Sequence, residues 1–128
     1  MPRKKSPRPT DGELEILRVL WCRGPSTVRQ VHKVLAREKD TSYNTTLKLM
    51  QIMNEKGIVT RDESERPQVY KAALPEDQMQ RRLLSDFLQR AFGGSARKLV
   101  AALTASGISE EELAAIRQLF DELEEGRG

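Results

Sequence analysis

Asn44, Lys48, Gln51 and Glu55, with Thr45 beside them, stand three and four residues apart within residues 41–57, TSYNTTLKLMQIMNEKG. At about 100° per residue these side chains share one arc of a helix. Thr46, Leu49, Met50 and Met53 fall within a second arc, nearly opposite. An apolar arc packs against neighbouring elements and holds the polar arc outward on a rigid mount. Amides pair with adenine edges, an ammonium reaches guanine or a phosphate, and a threonine methyl meets thymine. The chemistry on offer is therefore hydrogen bonding to base edges in a major groove. Ser42, Asn44 and Thr45 are poor helix formers beside Ala, Glu or Lys, and Tyr43 adds an aromatic able to touch sugar or phosphate.

The elements that would position this helix can be read on both sides of it. Thr10 and Glu13 have capping-box spacing and open a first helix with Leu14, Leu17 and Trp21 in step, flanked by Ile16 and Leu20. Arg23-Gly24-Pro25 ends it. A second box, Thr27 to Gln30, starts a helix that turns Val28, Val31 and Leu35 inward. Gly57 stands where a helix C-terminus requires a left-handed residue. Residues 58–61 and 68–71 are short β-branched or aromatic runs around a charged tip at 62–67, the pattern of an antiparallel hairpin. Three helices followed by a two-stranded wing form a winged helix-turn-helix, which places its reading helix third. In the wing, Arg61, Arg66 and Lys71 could meet backbone or minor groove.

Pro75 fits the first turn of a further helix striped by Leu83, Leu84, Phe87, Leu88 and Ala91 as far as Phe92-Gly93-Gly94. A short helix follows around Leu99, Val100 and Leu103. Ser109 and Glu112 cap a last one carrying Leu113, Ile116, Phe120 and Leu123. Units of about 50 residues seldom bury so many large apolar groups alone. A second copy of the chain is the simplest remedy, and a two-fold interface sets two reading helices in neighbouring grooves. The expected fold is mainly α with a small β hairpin. It comprises a flexible basic tail over 1–9, a winged helix domain over 10–74 and a three-helix dimerisation region over 75–125. Leu83, Leu84, Phe87, Leu88, Leu99, Leu103, Leu113, Ile116, Phe120 and Leu123 are the expected dimer contacts.

Composition agrees with a nucleic-acid partner. Residues 1–74 hold 15 Lys/Arg against 9 Asp/Glu, whereas residues 75–128 hold 7 against 10. Such asymmetry between halves raises the question of DNA. No apolar run reaches the ~18 residues of a membrane span, and the basic start has no apolar stretch behind it, so a soluble cytoplasmic protein is expected. One cysteine, Cys22, makes no internal disulfide or thiolate zinc site and reads as a small buried hydrophobe. The single histidine, His32, builds no triad and reads as partly buried or capping. Glu110 to Glu112 complement a helix dipole, and no glycine-rich phosphate loop occurs. Neither an enzyme, nor a metal site, nor a cofactor site is expected.

Residues 9 to about 125 resemble the penicillinase-repressor family of bacterial transcriptional regulators, the BlaI/MecI type. The resemblance lies in PTDGELEILRVLW (9–21), GPSTVRQVH (24–32), SYNTTLKLMQIMNEKGIV (42–59) and RDESERPQVYK (61–71). It implies a homodimer on a palindromic operator, joined through its C-terminal helices, that represses resistance or stress genes. It also implies release by a membrane-anchored sensor protease acting on the C-terminal region. Asn44, Thr45, Lys48 and Gln51 would then meet base edges of double-stranded operator DNA, and Ser42, Tyr43 and Arg66 its backbone. Two departures stand out. Residues 99–104, LVAALT, lack the Asn-Phe pair cut in well-studied members, and Ile52 replaces a residue basic in many relatives. No cysteine follows Cys22, unlike the copper-responsive branch. A regulator released by a small ligand and a winged-helix protein-docking module are the alternatives.

Overall fold

The computed structural model describes residues 8–127. Of the basic tail expected over residues 1–9, residues 1–7 lie outside the described range. The element order is α1 (Asp11–Arg23), α2 (Val28–Leu35), α3 (Tyr43–Lys56), β1 (Val59–Asp62), β2 (Val69–Ala72), α4 (Glu76–Phe92), α5 (Ala96–Ala105) and α6 (Glu110–Arg127). Two compact units divide the chain between Leu83 and Leu84, within α4.

Local chemistry explains where the helices begin. Glu13 N–H donates to Thr10 Oγ1 at 3.2 Å while Thr10 N–H donates to Glu13 Oε1 at 3.0 Å. Thr27 and Gln30 repeat the reciprocal pair at 3.2 and 2.9 Å. Each box satisfies two backbone donors that a helix start leaves without partners. The third helix uses a simpler cap, in which Ser42 Oγ accepts from Thr45 N–H at 3.1 Å. It ends at Gly57, whose φ of 84° is reached without strain only by glycine.

The hairpin is antiparallel, with Val59 opposite Ala72 and Arg61 opposite Tyr70. Both strands begin one residue later than the apolar pattern suggests. At the start of β1 the helix cap intervenes: Ile58 N–H donates to Met53 O and closes α3, while its carbonyl already accepts from Ala73 N–H at 3.0 Å at the open end of the hairpin. Ser26 adds a short third rung. Its N–H donates to Tyr70 O at 2.9 Å and its carbonyl accepts from Tyr70 N–H at 2.8 Å.

In the N-terminal unit, Ile16, Leu17 and Leu20 of α1 pack with Val28 and Val31 of α2, Met50 and Met53 of α3, Val59 and Tyr70. Trp21 is half-buried and donates its indole N–H to Leu74 O at 3.0 Å, fastening the approach to α4 onto α1. Met79 joins this core and Leu83 packs against it. The opening turns of α4 therefore belong with the winged helix, and Leu83, expected among the dimer contacts, packs half-buried against that core. Cys22 is exposed rather than buried. The buried face of α1 is set by Glu13, Ile16, Leu17 and Leu20, and position 22 falls on the opposite side at helical spacing. Pro75 precedes the first residue of α4 and offers its carbonyl to Met79 N–H at 3.1 Å.

The C-terminal unit contains the later turns of α4 together with α5 and α6. Gly94 N–H donates to Leu88 O and closes α4, Ser95 Oγ caps α5 through Lys98 N–H, and Ser109 Oγ caps α6 through Glu112 N–H. Phe87 and Phe92 meet edge to face at 5.8 Å. No residue of α5 is buried.

Candidate nucleic-acid interface on the third helix

On α3, Thr46, Met50 and Met53 are 0% exposed, whereas Asn44, Thr45, Lys48 and Gln51 are all exposed. Leu49 on the inner arc is half-buried. Among the described residues, no protein group hydrogen-bonds the side chains of Asn44, Lys48 or Gln51. Their donors and acceptors face outward. Ser42 and Thr45 differ, because their hydroxyls lie 2.9 Å apart and maintain the helix cap. That leaves the Thr45 methyl as its outward chemistry.

Both ends of the helix are anchored. At the N-terminal end, Thr46 Oγ1 lies 3.4 Å from His32 Nδ1 and also donates to Ser42 O. The His32 ring meets Tyr43 edge-on at 6.0 Å, and the Arg29 guanidinium lies 5.9 Å above the Tyr43 ring. At the far end, Lys56 Nζ contacts both carboxylate oxygens of Glu13, at 2.8 and 3.0 Å. Glu13 is 2% exposed and simultaneously caps α1. A buried carboxylate requires such partners, since desolvation alone is strongly unfavourable. One side chain thus fixes the start of α1 and the end of α3.

The wing arginines are occupied within the hairpin. Arg61 Nη2 and Nε contact Glu63 Oε2 at 2.9 and 3.3 Å, and its guanidinium lies 6.0 Å from the Tyr70 ring centroid. Tyr70 first and Glu63 second hold the Arg61 pKa above its ordinary value. Arg66 Nη1 donates to the carbonyls of Glu63 and Glu65. The Ser64 hydroxyl, then its N–H, hold the Asp62 carboxyl below the usual carboxylate range, at 2.6 and 3.0 Å. Lys71 is exposed on β2. With Asp62, Glu63 and Glu65 against Arg66, the tip is acidic.

The expected residues therefore separate into two groups. Ser42, Tyr43, Asn44, Thr45, Lys48 and Gln51 form one exposed surface, and Arg66 stands apart on the wing tip. Reading the sequence missed Arg29, Lys56 and the pairing of Ser26 with Tyr70. Arg29 carried a usable signal, a cation beside a helix cap on the outward side of the second helix. Lys56 carried none, because its partner is 43 residues away.

Three helices that bury one face of the third, closed by a paired hairpin, make this a winged helix-turn-helix protein with a helical region following. The chain belongs to the penicillinase repressor family, whose model matches residues 9–122. It is 30% identical over 120 residues to the transcriptional regulator BlaI of Mycobacterium tuberculosis, across 91% of this chain and 87% of that protein. The penicillinase repressor of Bacillus licheniformis is 26% identical across 93% and 94%. The penicillinase repressor of Staphylococcus aureus is 20% identical across 87% and 89%. These relatives are regulators and repressors by name, and the chain is not an enzyme.

Proposed function

We propose that this chain is a transcriptional repressor that binds a two-fold operator as a homodimer, with α3 in the major groove. Asn44, Thr45, Lys48 and Gln51 then meet base edges, and Ser42, Tyr43 and Arg66 hold the backbone. The observation that carries this reading is the division of α3 into a core-locked face and a face on which the side chains of Asn44, Lys48 and Gln51 have no hydrogen-bond partner among the described residues. Such a helix delivers hydrogen-bonding groups to a groove without first breaking bonds of its own.

Dimerisation through the C-terminal helices is part of the proposal, supported by the large apolar groups they leave open. So is action in the cytoplasm; no described helix is long and apolar enough to cross a membrane. Release by a membrane-anchored sensor protease completes the scheme. Because α5 contains no Asn-Phe pair, cleavage would use another bond.

The test is binding to the DNA fragment upstream of the protein's own gene. Asn44→Ala should weaken binding by roughly 1–3 kcal/mol and relax the preference at one base position, while Lys48→Ala should flatten the salt dependence by about one unit if it meets phosphate. Unchanged affinity and unchanged sequence preference for Asn44→Ala would overturn the base-reading assignment.

A further inference from the structure

A cleft of about 330 Å³ lies between α2, α3 and the hairpin within the N-terminal unit. Val28, Leu47 and Tyr70 contribute apolar surface to it, while Arg29, Tyr43 and Gln68 contribute polar groups. No acidic residue lines it, in a chain with 19 Asp and Glu. Arg29 is exposed and, among the described residues, faces no carboxylate. Its counterpart on the wing, Arg61, is held by Glu63 at 2.9 Å. Stacking above Tyr43, itself backed by His32, restricts the Arg29 side chain before any ligand arrives. Gln51, on the outward face of α3, also lines the cleft, so the cleft runs into the proposed base-reading surface.

We infer that this cleft seats one sugar–phosphate strand of the duplex, with Arg29 as its phosphate contact. The inference rests on the DNA-binding reading above and adds a contact surface to it. Apolar surface suits the deoxyribose, and a planar guanidinium suits the phosphodiester, which it contacts in bidentate fashion. The absence of acidic lining leaves the strand's charge unopposed. Tyr43 serves as a positioning residue that holds the Arg29 plane.

The experiment measures binding of wild type, Arg29→Ala and Arg29→Lys to the protein's own upstream fragment and to a scrambled duplex of equal length, at several salt concentrations. Helical circular dichroism confirms that the variants are folded. Arg29→Ala should weaken both duplexes by a similar factor, retain the preference between them, and make the slope of log K against log salt shallower by about 0.9. Between about 50 and about 200 mM salt, the gap between wild type and variant should narrow by about 3.5-fold. Arg29→Lys should retain the slope and lose affinity, because it keeps the charge but not the fork. An Arg29→Ala variant with wild-type slope and affinity would overturn the cleft while leaving base reading intact, provided Asn44→Ala still relaxes sequence preference. Wild-type binding that does not distinguish the two duplexes would remove the DNA reading and the cleft together.

Discussion

In the N-terminal unit, side chains such as Ile16, Leu17, Met50 and Met53 are removed from water entirely. In the C-terminal unit, Leu84, Phe87, Val100, Leu103, Leu119, Phe120 and Leu123 each keep between 42% and 55% of their surface exposed. Both stretches are helical and both carry helix caps, so local structure does not separate them. Closure does. Three helices, a hairpin and the first turns of α4 enclose a volume from several directions, whereas the helices after Leu83 leave a large part of their apolar surface open. Fully burying a large apolar side chain is worth roughly 1.5–3 kcal/mol, and much of that is unrealised here in a single copy. The winged helix has the makings of a self-sufficient fold; the C-terminal helices have those of half an interface.

The largest expected effect comes from charging the open face. Phe87→Glu combined with Phe120→Glu should leave the N-terminal unit folded, shift light scattering from a dimer mass to 14.6 kDa and reduce operator affinity by orders of magnitude. Wild type that already scatters as 14.6 kDa at micromolar concentration would dissolve the contrast between the units. Next comes matched truncation. Met50→Ala should lower stability in urea by about 2–5 kcal/mol at any protein concentration, whereas the loss for Leu103→Ala should depend on concentration because it acts through association. Equal, concentration-independent losses at both positions would show that the C-terminal helices close upon themselves.

A smaller effect probes the anchor of α3. Lys56→Ala leaves the buried Glu13 carboxylate without its cation, at about 1–3 kcal/mol of stability, and should also loosen operator binding although Lys56 lies outside the reading face. Loss of stability without loss of affinity would confine the pair to a packing role. The smallest effect lies in the wing. Bonds from Ser64 depress the Asp62 pKa, so their contribution is present above the unfolded carboxylate value near about 3.9 and fades as pH falls through the folded value. Ser64→Ala should therefore be slightly less stable than wild type at neutral pH and equal to it in strong acid. A difference between them that persists in acid would assign the effect to something other than Asp62.

Much of the winged helix was legible because its signals are local. The Thr10–Glu13 and Thr27–Gln30 boxes, Gly57 beyond α3, and the opposed arcs of residues 44–53 each depend on a few neighbouring residues and on helical periodicity. Strand starts were legible only to within one residue; at β1 the Ile58 N–H serves the helix cap while its carbonyl already pairs with Ala73. Cys22 was misplaced because composition favours burial for cysteine, while the rotation of α1 about its axis follows from what packs on it. The wing arginines were legible as cations and not as partners, since their engagement by Glu63 and by backbone carbonyls depends on how the hairpin folds over.

Periodicity, caps and turn chemistry were enough to establish from the sequence alone that residues 44, 45, 48 and 51 share one helix face, because each acts within a turn or two of backbone. Tertiary structure alone decided that Asn44, Lys48 and Gln51 on this face meet no hydrogen-bond partner among the described residues, that Glu13 reaches Lys56, that Arg29 stands over Tyr43 beside an open cleft, and that the core extends into α4 as far as Leu83. Those outcomes join groups far apart along the chain, and their energies exist only once packing has removed water and brought the partners within bonding distance.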